Sequence, residues 1–126
     1  MAGKFTLSLN KFKAVTAEQH KELVQKVGLE LLRRVVLKSP VDTGRFRGNH
    51  QVTIGTPAAG SLDSVDLGGG QTISKGAAVL AKVPNYPTVW IANNLSYAMD
   101  LEFGRSKQAP EGVYRVSVAE LGALFK

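Results

Sequence analysis

Residues 16–47 read TAEQHKELVQKVGLELLRRVVLKSPVDTGRFR, and the fold turns on how this stretch starts, repeats and stops. Thr16 reads as a helix N-cap, and Gln19, three positions on, completes a capping-box pattern. From Ala17 to Lys38, Val24, Val27, Leu31 and Val35 recur at three- and four-residue steps, which predicts one long helix. Glu18, Glu22, Gln25, Lys26 and Arg33 take much of the other side, and Glu22–Lys26 and Glu30–Arg34 are favourable i,i+4 pairs. Leu23, Leu29, Leu32 and Val36 widen the apolar stripe beyond the usual arc of about 100°. Such a helix either lies under a sheet and a second element, or meets another subunit. Ser39-Pro40 ends it, because the residue before proline disfavours the α region and the ring removes a donor. Asp42-Thr43-Gly44 then predicts a tight turn, with Asp42 accepting from a backbone N–H two residues on and Gly44 tolerating positive φ.

Outward from this core, periodicity sets the other elements. Residues 1–13 alternate, with Phe5, Leu7 and Leu9 on one side and Lys4, Thr6 and Ser8 on the other, the pattern of a strand with one buried face. Phe46 to Ile54 reads as a strand with His50, Val52 and Ile54 on one face, and Arg45 and Arg47 alternate on a face at its start. Residues 55–70 (GTPAAGSLDSVDLGGG) predict a long flexible loop that orders on assembly. Gln71–Lys82 carries Ile73, Ala77, Leu80 and Ala81 at helical steps, against the low propensity of Gly76. Pro84 and Pro87 bracket the next connection, Thr88–Ala92 is β-branched and aromatic enough for a strand, and Asn93-Asn94 ends it. Tyr97–Phe103 is a short helical or strand-like piece closed by Gly104, residues 105–112 form a polar loop, and a last helix is expected from about Gly112. The expected architecture is a single α+β domain over 1–126: a small antiparallel sheet packed against one long amphipathic helix, plus short helices and a long loop.

Composition limits the chemistry. A chain of 126 residues argues for one core, and its 44% hydrophobic content is ordinary for a globular protein. The absence of cysteine removes disulfides, thiolate zinc sites and cysteine nucleophiles. No apolar run approaches the roughly 20 residues that span a bilayer. Nor does the amino end have the apolar stretch and cleavage site of a signal peptide, so a soluble protein of a reducing compartment is expected, without a membrane partner. The whole net charge of +6 lies in residues 1–47, while the remainder balances. A basic half of this kind points to nucleic acid, to an acidic partner, or to a solvated face.

No residue set amounts to an active site, and no cofactor or metal is expected. Asp42-Thr43-Gly44 has the letters of the aspartic-protease signature, but it follows a helix and Ser-Pro rather than an apolar strand, and the turn reading prevails. His20 and His50 lack a carboxylate or second histidine at helical spacing and read as structural or surface groups. Gly68-Gly69-Gly70-Gln71-Thr72 lacks the Gly-Lys-Ser/Thr ending of a phosphate loop.

Two words stand in order along the chain: Ser39-Pro40-Val41-Asp42-Thr43-Gly44 after the long helix, and Tyr97-Ala98-Met99-Asp100-Leu101-Glu102-Phe103-Gly104 after the later strand. A loop with Ala109-Pro110-Glu111-Gly112 follows, then the closing helix. From about Ala17 onward this order resembles the tail-completion and neck proteins of long-tailed bacteriophages. The resemblance implies a non-enzymatic virion protein, made in the host cytoplasm, that forms a ring of identical subunits, six by expectation, at the head-proximal end of the tail. Its partners would be the tail tube protein and the head connector or stopper, with DNA passing through the lumen without sequence recognition. On that reading Pro40, Asp42, Thr43 and Gly44 set one corner, and Tyr97, Glu102 and Gly104 set a second. Glu102 is expected to pair with Arg45 or Arg47, and Arg45, Arg47, Arg105 and Lys107 to contact partners or DNA. The rival readings are a small basic DNA-binding accessory protein and a dimeric aspartic-dyad hydrolase.

Overall fold

The computed structural model describes residues 16–104, 108–109 and 111–124. Helix α1 (Ala17–Lys38) starts where Thr16 accepts a hydrogen bond from the Gln19 amide at 3.1 Å. It ends at Ser39, which is extended, as a residue before proline must be. The expected strand over 1–13 lies outside the described residues.

Four further regular elements follow the helix and its turn before the last helix closes the chain. Strand β1 (Gln51–Ile54) pairs antiparallel with β2 (Val89–Ala92), with Gln51 opposite Ala92 and Ile54 opposite Val89. Between them in sequence lies α2 (Gly70–Leu80), and after β2 come the short α3 (Ala98–Glu102) and then α4 (Tyr114–Leu124). The fold is α+β, a small antiparallel sheet with helices packed on it. Helix α2 contacts both α1 and β1, while α4 lies on α1.

The buried stripe of α1 is Val24, Val27, Gly28, Leu32, Val35 and Val36. Leu32, Val35 and Val36 join Phe46, Val52, Leu80, Val83, Leu95, Ala109 and Val113 in one core. The apolar width of α1 is thus explained largely by two helices that cover different arcs of it. Gly76 is where α2 crosses closest: a Cβ there would overlap Leu32 and come within 2.9 Å of Val52. Low helix propensity is therefore the local cost of a close helix–helix–strand approach. The Gln25 side chain donates to the Leu80 carbonyl at 2.9 Å, satisfying an acceptor at the end of α2.

Two expectations are corrected. The strand expected over Phe46–Ile54 begins only at Gln51, because Phe46 is helical and Arg47–Asn49 forms a 3-10 turn. Arg45 and Arg47 consequently do not alternate on a strand face. The loop expected over 55–70, mobile until assembly, ends at Gly69 and is tied along its length by side-chain bonds. Trp90 donates to the Gly55 carbonyl, Asn94 to those of Ala58 and Gly60, and Gln51 to that of Gly60. Asn49, fully buried, accepts from the Leu62 amide at 2.7 Å.

Candidate functional site

The two sequence words fold into two corners. In the first, Pro40 is buried and the side chain that closes the turn is that of Thr43, whose hydroxyl accepts from the Arg45 amide at 3.2 Å; Asp42 is exposed. Gly44 has φ +88°, and its carbonyl accepts from the amides of Gly48 and Asp66, both at 2.9 Å. Asp66 in turn caps α2: one carboxylate oxygen accepts from the Gly69 amide, the other from the Thr72 amide and hydroxyl. Burial pushes the Asp66 carboxyl up, but the hydrogen bonds from Thr72, Gly69 and Gln71 outweigh it, and its pKa lies below the ordinary value.

In the second corner the ring of Tyr97 lies 6.1 Å from that of Phe46, centroid to centroid, and Gly104 has φ +83°. The carboxylate of Glu102, buried between α3 and α4, accepts from three amides at the start of α4: Val113 at 2.8 Å, Tyr114 at 2.9 Å and Arg115 at 2.7 Å. This corrects the expected pairing of Glu102 with Arg45 or Arg47. Its partner is a helix N-terminus, where three N–H groups and the helix dipole satisfy a buried carboxylate without a cation. Gly112 permits the approach, since at φ +87° a Cβ would overlap the Glu102 carbonyl.

A buried hydrogen-bonded chain joins the corners. The Ser39 hydroxyl donates to the Val35 carbonyl, and His50 Nε2 lies 2.6 Å from Ser39 Oγ. His50 Nδ1 lies 2.7 Å from the Tyr114 hydroxyl, and Tyr114 is the residue whose amide Glu102 caps. Proton counting fixes the directions. Ser39 has spent its one proton on Val35, so His50 Nε2–H donates to Ser39, and Tyr114 donates to the bare Nδ1. The Ser39–His50 pair therefore has the polarity opposite to that of a serine nucleophile and its base, and both side chains are buried. Burial, with a smaller effect of the Arg47 charge, pushes the His50 pKa down to about 3. Burial and the nearby Glu102 charge raise that of Tyr114. These groups are structural fasteners.

Arg47 is spent in the same way. Its guanidinium donates to the carbonyls of Leu67 at 2.9 Å, Ser39 at 3.0 Å and Leu37 at 3.3 Å, binding the end of α1 to the 62–69 loop. Arg34 and Lys38 are likewise engaged, with Glu120 of α4 at 2.8 and 3.1 Å; these contacts draw down the Glu120 pKa, Lys38 first. Of the four basic side chains expected at partners or DNA, Arg45 is exposed, Arg47 is internally bonded, and Arg105 and Lys107 lie outside the described residues.

Several large apolar side chains are also exposed. Leu37 and Leu67, whose carbonyls Arg47 holds, are 55% and 63% exposed, and Val65, Phe103 and Leu124 are exposed as well. Among the described residues no group of three or more His, Asp or Glu side chains is gathered for a metal, and no helix is long and apolar enough to cross a membrane. Comparison with protein-family models, curated proteins and solved structures returned no match. Sequence reasoning read Ser39 as a helix stop and His50 as a structural or surface group without their partners, and passed over Tyr114, Asp66 and Asn49; each becomes informative only when a distant group arrives beside it.

Proposed function

We propose that this chain is a structural subunit of a bacteriophage neck, forming a ring of identical copies at the head-proximal end of the tail that completes the tail and helps join it to the head connector. The observation that carries this reading is the use of the two sequence words. Both fold into corners, and the corners are fastened to each other through Ser39, His50, Tyr114 and Glu102. The residues that carry the resemblance to neck and tail-completion proteins thus support a rigid scaffold rather than a reaction. The rigid scaffold holds exposed leucines and valines in fixed positions, as a subunit of an assembly requires. A closed ring needs two different complementary faces on each subunit, and the exposed apolar side chains, among them Leu37, Leu67, Phe103 and Leu124, are available to build them.

The DNA-binding alternative relies on the basic first 47 residues, yet Arg34, Lys38 and Arg47 are engaged within the fold. Sedimentation and negative-stain electron microscopy of the purified chain, alone and with isolated tail tubes, separate the two. Rings, alone or on tube ends, are expected. A monomer that ignores tubes and binds duplex DNA with a steep salt dependence would replace the neck reading with the alternative.

A further inference from the structure

We propose that helix α4 is an acid-released arm: when His50 takes up a proton, residues 113–124 lift off α1 while α1, α2 and the sheet stay folded. The inference concerns the fold itself and holds whether or not the chain forms rings.

Helix α4 holds its shape by docking. It has 11 residues, fewer than the roughly 12–15 at which an isolated helix becomes even marginal in water. Val116, Ser117, Val118 and Gly122 lower its own propensity further. Its fully buried side chains are Ser117 and Leu121, and neither belongs to the main core. The α4 side chain that does pack against that core is Tyr114, the one whose hydroxyl sits on His50.

Among the described residues, the hydrogen bonds that tie α4 to other helices and to His50 run through three titratable side chains. Glu102 accepts from the amides of Val113, Tyr114 and Arg115, Glu120 binds Arg34 and Lys38 of α1, and Tyr114 donates to His50 Nδ1. The groups facing His50 are Ser39 at the end of α1, the Phe46 ring at 5.2 Å, the Arg47 charge and Tyr114, with the Glu102 charge acting on Tyr114. A second proton has no place in this closed arrangement. His50 would carry hydrogen on both nitrogens, while Tyr114 already points its own hydrogen at Nδ1 and makes no other hydrogen bond through that hydroxyl. Arg47, held on the carbonyls of Leu37, Ser39 and Leu67, adds a charge of the same sign. When α4 lifts, Tyr114 leaves Nδ1 open to water, and the imidazole titrates near 6.5 instead of about 3. The open arm therefore gains on the closed one as the pH falls below 6.5, with a ceiling of about 25-fold between pH 7 and 5.

Hydrogen exchange of the full chain at pH 7 and 5, read by mass spectrometry as protection factors that divide out the pH dependence of free amides, tests this. Peptides over 113–124 are expected to be less protected than the centre of α1 at both pH values, and to lose protection by about 5- to 25-fold on going from 7 to 5. In His50→Gln the loss is expected to vanish. Glu120→Gln, at a partly exposed position, guards against a His50 variant that fails to fold. The contacts of Glu120 with Lys38 and Arg34 hold its pKa below the ordinary value, so it stays ionised across this window. Its removal is expected to lower α4 protection equally at both pH values and to leave the fall between them intact. The proposal is overturned if α4 and the centre of α1 share one protection factor at both pH values, since the fold then opens as a whole. It is also overturned if α4 protection changes less than about twofold, if His50→Gln keeps the fall, or if Glu120→Gln abolishes it.

Discussion

Lowering the pH from 7 to 5 perturbs one buried group in particular. His50 sits between Ser39 and Tyr114, and burial, with a smaller effect of the Arg47 charge, pushes its pKa down to about 3. In the unfolded chain a histidine titrates near 6.5. As the pH falls below that value the unfolded state takes up a proton that the folded state refuses, so stability is greatest above it and declines on acidification. The decline is about 1.4 kcal/mol per pH unit once well below 6.5, or about 2 kcal/mol lost by pH 5, and it continues towards pH 3. Asp66 and Glu120, whose pKa values lie below the ordinary carboxylate values, act in a lower window. The stability they contribute is complete above about pH 5 and is lost only below about pH 4, so the change between 7 and 5 isolates the histidine. Urea unfolding followed by circular dichroism at pH 7, 6 and 5 measures it, with His50→Gln as the companion that has no proton to take up. The wild-type midpoint should fall with pH while that of the variant stays nearly level. A wild-type midpoint that does not move between pH 7 and 5, or a variant that falls equally, would refute the buried neutral histidine.

Other perturbations test the remaining fasteners. Glu102→Ala strands three amides at the start of α4 and should cost about 2–3 kcal/mol in urea unfolding, while Glu102→Gln, which keeps two acceptor lone pairs, should cost less. Gly76→Ala drives a methyl into Leu32 and Val52 and should destabilise by about 1–3 kcal/mol, although alanine is the better helix former. Arg47→Ala leaves the Leu37, Ser39 and Leu67 carbonyls without their donor; hydrogen exchange should speed up across 62–69 ahead of the amides of α1. Thr16→Ala, at the exposed start of α1, should cost about 1 kcal/mol, and a change under a few tenths would show the cap to be idle.

Local patterns were legible where local physics decides. The bounds of α1 follow from Thr16 and Ser39-Pro40, and the short strand Val89–Ala92 from its β-branched and aromatic run. Helix α2 was readable despite Gly76, but the reason for that glycine was not, because Leu32 and Val52 arrive from elements far away in the chain. The error at Arg45–Asn49 has a similar cause. Strand propensity there is overridden by Gly44 at positive φ and by Asn49, which is claimed by the Arg45 carbonyl and the Leu62 amide. Glu102 was recognised as a buried carboxylate needing a partner, yet charge alone suggested arginine. The N-terminus of a helix some ten residues later was the better donor. His50 was read only as a structural or surface group, since an isolated histidine reveals its partners only when Ser39 and Tyr114 are placed on its two nitrogens.

The central claim, a brick of the phage neck rather than an enzyme or a free DNA-binding protein, is met most directly by locating the chain in purified particles. Gold-labelled antibody against this protein, viewed by electron microscopy on intact virions, should decorate the junction between head and tail and nowhere else. Labelling that is absent from virions, or confined to soluble material from infected cells, would contradict it.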